Sequence, residues 1–179
     1  MKDSVSTLIH HAKSEMQQSN FEDALTLVGQ ALKLFPKNEM ALTLKAQIGM
    51  KTSNKRITGA ALKSLILAVP YKLEYSIALA QLYCDDGNPE RSPTVFEPLM
   101  HRFKHPDLHF NYAWFLTLAA DYTNALANYQ IAIDLGLGGT EEAHLNIANI
   151  YSSRLNQPTL AKKHLMLAIE LNPNYIDAR

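Results

Sequence analysis

Several residues in this 179-residue chain have types and spacings that could do chemistry. His101, His105 and His109 recur every fourth position, the step at which a helix would aim imidazoles at one metal ion. Pro106 breaks the run, because proline biases the preceding residue away from helical backbone, and a fourth ligand is lacking. Gly136-Leu137-Gly138-Gly139-Thr140 has the glycines of a phosphate cradle. It follows a helical pattern rather than a strand and carries no lysine, so it reads as a helix-ending loop. Cys84, the only cysteine, has Asp85 and Asp86 beside it, and acidic neighbours disfavour a thiolate. No G-x-S-x-G, H-E-x-x-H or P-loop pattern occurs. Neither a metal nor a cofactor is expected, and the chain reads as a non-enzyme. Asn111 and Asn146 remain, side chains that donate and accept hydrogen bonds at once.

The elements that position these asparagines follow from two ladders of small residues. Ala12, Ala46, Ala80, Ala113 and Ala148 recur at intervals of 33 to 35 residues. Ala24, Thr58, Ser92, Ala125 and Ala161 run in step with them. Around each rung apolar residues fall at three- and four-residue steps, as in Leu8, Ala12 and Met16, which is the period of a helix. Ser19-Asn20 divides the first pair of helices and Pro36 ends the second helix, since proline has no amide donor. Pro70, Pro106 and Pro173 close later units, and the glycine-rich loop closes the fourth. One helical hairpin is therefore built five times, with small residues where the two antiparallel helices cross. Tyr83, Phe96, Tyr129 and Tyr151 are expected to fill the space between hairpins.

These slots resemble the tetratricopeptide repeat, W-x2-L-G-x2-Y, then A-x3-F, then P. The last unit carries the pattern best, in Ala143 to Tyr151 followed by Ala161, Leu165, Ala168 and Pro173, with His144 in the tryptophan slot. The second is the weakest, with Ala46, Leu62 and Pro70. The resemblance covers nearly the whole chain. It implies an all-α, right-handed superhelical solenoid of about five hairpins in a single domain, with units at about 5–38, 39–72, 73–105, 106–140 and 141–173. Leu65 and Leu99 stand where other units have alanine, so the helices should sit further apart there. Ser92-Pro93 reads as a helix start. Pro98 then falls inside that helix, which should be bent or shortened, either as a tolerated irregularity or as a kink shaped to a partner.

In tetratricopeptide arrays the first helix of each unit lines the concave face, and the resemblance carries that role onto particular residues. Units one and two would offer Ile9, His10, Lys13, Thr43, Leu44 and Gln47; unit three Ile77, Ala78 and Gln81. Unit four would offer Asp107, Phe110, Asn111, Trp114 and Thr117; unit five Glu142, Leu145, Asn146, Asn149 and Ser152. The expected peptide-binding set is Ile77, Gln81, Phe110, Asn111, Trp114, Asn146 and Asn149. Some family members grip a C-terminal carboxylate with clustered lysines and arginines, and no such cluster stands on this face. Others hold peptide backbone with an asparagine two residues before the small slot, a position that Asn111 and Asn146 match. Against this stands a solvated face with no specific ligand.

Lysine plus arginine equals aspartate plus glutamate, 17 each. A balanced chain lacks the positive field that nucleic acid requires, and it has neither a polybasic membrane surface nor an apolar run of spanning length. The opening residues have no signal-peptide pattern, so the cytoplasm is the expected location. The expected partner is a protein or peptide. Asn172 to Arg179 resembles the opening of a sixth unit, beginning at about 174. The chain is therefore expected to continue; the alternatives are self-association end to end, or an uncapped end that leaves Leu165, Leu167 and Ile169 partly exposed. The last unit is also similar to repeat regions that precede bacterial sulfotransferase domains and those of protein N-acetylglucosamine transferases. A substrate-presenting region of a larger transferase is the alternative function. Arg91-Ser92-Pro93-Thr94 is only superficially similar to the R-S-G-T phosphosulfate loop, lacking its glycine and a preceding strand.

Overall fold

The computed structural model describes residues 4–174. The residues read as opening a sixth unit lie almost wholly outside that range. Among the described residues all regular structure is helical: α1 (Val5–Gln17), α2 (Phe21–Leu34), α3 (Glu39–Lys51), α4 (Lys55–Ala68), α5 (Leu73–Asp85), α6 (Glu97–Met100), α7 (Pro106–Leu118), α8 (Tyr122–Asp134), α9 (Thr140–Ser153) and α10 (Pro158–Leu171). The helices α1 and α2, α3 and α4, α7 and α8, α9 and α10 pack as hairpins.

Both small-residue ladders are buried along their whole length. Their two polar rungs satisfy themselves locally. The Thr58 hydroxyl donates to the Asn54 carbonyl at 3.1 Å, and the Ser92 hydroxyl to the Pro89 carbonyl at 2.6 Å. A buried hydroxyl bonded to its own preceding turn costs little while keeping the crossing narrow.

The turns inside the hairpins share a device that the ladders did not reveal. Ser19, Ser53, Gly87, Ala120 and Asn156 all have positive φ, between 51° and 75°. In the first four the amide of the next residue reaches back five positions, Asn20 to Glu15, Asn54 to Gly49, Asn88 to Tyr83 and Asp121 to Leu116, at 2.8 to 2.9 Å; in the last, Gln157 reaches back six, to Tyr151, at 2.7 Å. This reversal ties up carbonyls that the helix end leaves open. The same asparagines and aspartate then precede the second helices. Asn54 and Asp121 accept from the amides of Ile57 and Asn124 with their side chains.

The stretch expected to form the second helix of the third unit departs most from the repeat. It is two 3-10 turns, Pro89–Arg91 and Pro93–Val95, followed by the four-residue α6. Shortening near Pro98 was expected, but the disruption reaches back to Pro89. Three prolines within ten residues remove three donors, and the chain falls into short pieces that each begin on or next to a proline. Pro98 sits in the first turn of α6, where its missing amide costs nothing. Ser92-Pro93 starts only a 3-10 turn. Phe96 nevertheless stays fully buried, its ring stacked 5.4 Å from that of Phe115.

The chain divides into two compact units, up to Leu82 and from Tyr83 onward. In the first, Leu8, Ile9, Ala12, Val28, Ala31, Leu44 and Ile48 form a core between α1, α2 and α3. Ile9 and Leu44, expected on the open inner face, are instead 4% and 2% exposed. Ile9, three positions before Ala12, lies on the ladder's own side of its helix, and Leu44 joins the core built with α1 and α2. In the second unit Leu116, Tyr129, Ile147 and Ile150 pack with Ala113, Ala125, Ala132 and Ala143. On α10, Leu165, Leu167 and Ile169 are half-buried, while Leu160, Met166 and Leu171 are the exposed apolar side chains.

Candidate binding groove

In the second unit a cavity of about 250 Å³ opens between three helices. From α7 it is lined by Trp114, Thr117 and Leu118, and from α8 by Tyr129. From α9 come Asn146, Asn149, Ile150 and Ser153, with Arg154 at the end of that helix. Helical spacing puts these groups together. Trp114, Thr117 and Leu118 are three and four residues apart, and so are Asn146, Asn149, Ile150 and Ser153. Trp114 is 42% exposed, a large apolar ring held at the edge of the opening.

Two polar atoms on this wall are buried without a hydrogen bond, the Tyr129 hydroxyl and Nδ2 of Asn146. Burial pushes the Tyr129 phenol well above its ordinary range, with the Thr117 hydroxyl beside it opposing the shift. That hydroxyl donates to the Ala113 carbonyl at 2.9 Å and is not in hydrogen-bonding geometry with the phenol, which has no partner. An unmade buried bond costs on the order of 1–3 kcal/mol, which a ligand bearing acceptors would recover. Arg154 is the only charged residue of the lining, and it has no ion pair among the described residues.

The structure brings together Trp114, Asn146 and Asn149 of the expected set. It places the others elsewhere. Phe110 turns inward, edge-on to the Tyr129 ring at 5.5 Å, and packs against the core. Asn111 spends its amide on the Asp107 carbonyl at 2.7 Å. Ile77 and Gln81 lie on α5, in the first unit. Sequence reasoning missed Leu118, Tyr129, Ile150, Ser153 and Arg154 as groove residues. Carrying the α9 face one turn beyond Asn149 would have reached Ser153. Tyr129 was read only as filler between hairpins.

The first unit has a second opening, of about 410 Å³, lined by Lys13, Glu39, Met40, Thr43, Leu44, Gln47, Lys72 and Tyr75. Here Glu39, Thr43, Lys72 and Tyr75 are already paired with one another. Glu39 Oε1 accepts from Lys72 Nζ at 2.6 Å and from the Tyr75 hydroxyl at 2.7 Å. The hydrogen bond from Lys72, then that from Tyr75, holds the Glu39 carboxyl below the usual range, and the same carboxylate raises Lys72. Among the described residues no group of three or more metal-ligating side chains comes together. His105 caps α7 in extended backbone, and His109 bonds the Asn128 side chain at 2.9 Å. The described residues include no helix long and apolar enough to cross a membrane.

Solved structures resemble this chain closely in fold. A tetratricopeptide protein from Thermus thermophilus is 21% identical, with 98% of this chain and 95% of that one covered and a TM-score of 0.60. YrrB, described as having an unusual peptide-binding site, is 15% identical with 96% and 88% covered and a TM-score of 0.67. The C-terminal part of a repeat protein from Cytophaga hutchinsonii is 12% identical, with 95% and 68% covered and a TM-score of 0.72. No curated protein sequence matches significantly. Tetratricopeptide-repeat family models match residues 10–66 and 141–175, together just over half of the chain. With four regular helical hairpins and the small-residue ladders buried throughout, the chain belongs to the tetratricopeptide repeat family.

Proposed function

We propose that this protein is a non-catalytic scaffold that binds an extended protein or peptide segment in the groove between α7, α8 and α9. The observation that carries this reading is the pair of unpartnered buried groups, the Tyr129 hydroxyl and Asn146 Nδ2, in the wall of an opening edged by Trp114. Main-chain carbonyls of a bound segment would satisfy both. Tryptophan supplies a large apolar contact at small entropic cost, which is why it concentrates where binding energy concentrates. YrrB, whose fold is similar, is described as binding peptide, which accords with this use of the scaffold. No observation among the described residues favours the alternative of a substrate-presenting region within a larger transferase.

The test is to pan a library of random dodecapeptides on the purified protein and titrate selected peptides against wild type, Asn146→Ala and Trp114→Ala. Each variant should bind at least tenfold more weakly while keeping its helical circular dichroism. Peptides that bind both variants as tightly as wild type would place the site elsewhere.

A further inference from the structure

The geometry points to a specific ligand chemistry for this groove: an extended segment with an aspartate or glutamate side chain about four residues from the main-chain carbonyls that meet Tyr129 and Asn146. The inference rests on the peptide-binding reading and names what that peptide must carry. The two buried unpaired groups of the wall and its one charged side chain can all donate. The Tyr129 phenol stays protonated because burial disfavours its anion, so its hydroxyl offers a proton. Asn146 offers an amide N–H from a buried nitrogen. Arg154 offers a guanidinium with no partner among the described residues, and guanidinium pairs best with the two oxygens of a carboxylate.

The spacing follows from helix geometry. Asn146 and Arg154 are eight positions apart on or at the end of α9, roughly 12 Å along its axis. An extended chain advances about 3.3 Å per residue, so about four residues cover that length. Trp114 and Leu118, facing across the opening, would receive an apolar side chain between the two anchors. Guanidinium pairs equally well with a chain-end carboxylate, and the experiment separates the two sources.

The experiment uses the whole chain and a displayed library of random dodecapeptides with blocked C-termini. Trp114, the only tryptophan, reports occupancy of the groove by its fluorescence. Selected peptides should be enriched in aspartate or glutamate near a leucine, methionine or phenylalanine. Changing that acid to its amide should weaken binding tenfold or more, and raising salt from 50 to 500 mM should weaken the acidic peptide while sparing the amide one. Arg154→Gln, a change at an exposed position, should abolish the acidic preference while apolar selection persists. Peptides that move Trp114 fluorescence without any acidic preference, or with one unchanged in Arg154→Gln, would overturn the ligand chemistry and leave the groove standing. Acid-dependent binding found only with free C-termini would assign the carboxylate to a chain end and overturn the side-chain assignment. A library yielding no peptide that moves Trp114 fluorescence would overturn the groove itself.

Discussion

A Cβ placed on Gly49 would lie 2.6 Å from the Thr58 hydroxyl and 2.8 Å from the Thr58 amide nitrogen. The helices α3 and α4 therefore meet with glycine on one side and backbone on the other. Gly49→Ala gains up to about 1 kcal/mol of helix propensity but must push backbone aside, at about 1–3 kcal/mol. The net expectation is a loss of about 1–2 kcal/mol, read as a lower urea midpoint. A rise in the midpoint would show that α4 shifts without cost.

Ala120 holds a φ of 63° in the turn between α7 and α8. Left-handed backbone costs a residue with a Cβ about 1–2 kcal/mol, whereas glycine pays mainly in unfolded-state entropy. Ala120→Gly should therefore stabilise the protein by about 0.5–1 kcal/mol, although glycine for alanine usually destabilises. Thermal unfolding measures the sign; a lower midpoint would contradict it.

In the last hairpin Nδ1 of His144 and Nδ1 of His164 are 3.0 Å apart, and the Tyr151 ring lies tilted against His164, 5.8 Å between centroids. That contact needs one nitrogen with a proton and one without. Burial lowers both imidazoles, and the His144 and Lys163 charges lower His164 further. The folded state therefore binds fewer protons than the unfolded one. The hairpin's stability is complete above the unfolded value of about 6.5 and declines as pH falls toward the folded values. His164→Gln should flatten the fall in melting temperature between pH 7 and pH 5. An unchanged slope would assign the acid sensitivity to other groups.

Asn146 and Tyr129 should show stability opposed to function. Tyr129→Phe removes a buried hydroxyl that has no partner, and Asn146→Ala removes an amide whose nitrogen has none. Each should leave the free protein unchanged or up to about 1 kcal/mol more stable, since an unmet buried donor is a cost. Loss of more than about 1 kcal/mol by both would mean that these groups serve the core.

The repeat and the crossing points were legible in the amino-acid order because sterics writes them there. Where two backbones come close only alanine, glycine, serine or threonine fits, so Ala12 to Ala148 and Ala24 to Ala161 mark the crossings directly. Pro98 likewise announced a bend or shortening in the third unit's second helix, though not that the break would run from Pro89 onward. The left-handed turns were not legible, because serine, alanine and asparagine occupy a conformation that their types do not advertise. Periodicity placed Trp114, Asn146 and Asn149 on a shared wall. It could not tell that Leu44 joins the core built with α1 and α2, that Phe110 packs inward, or that Asn111 bonds its own helix. Nor could it show that Tyr129 and Asn146 lack partners beside an unpaired Arg154. Such facts depend on what each side chain finds across the gap, and the partners across a gap are set by packing between helices distant in sequence. The order of residues determined that hairpins form and where they touch; tertiary packing alone decided which polar groups are left waiting for a ligand.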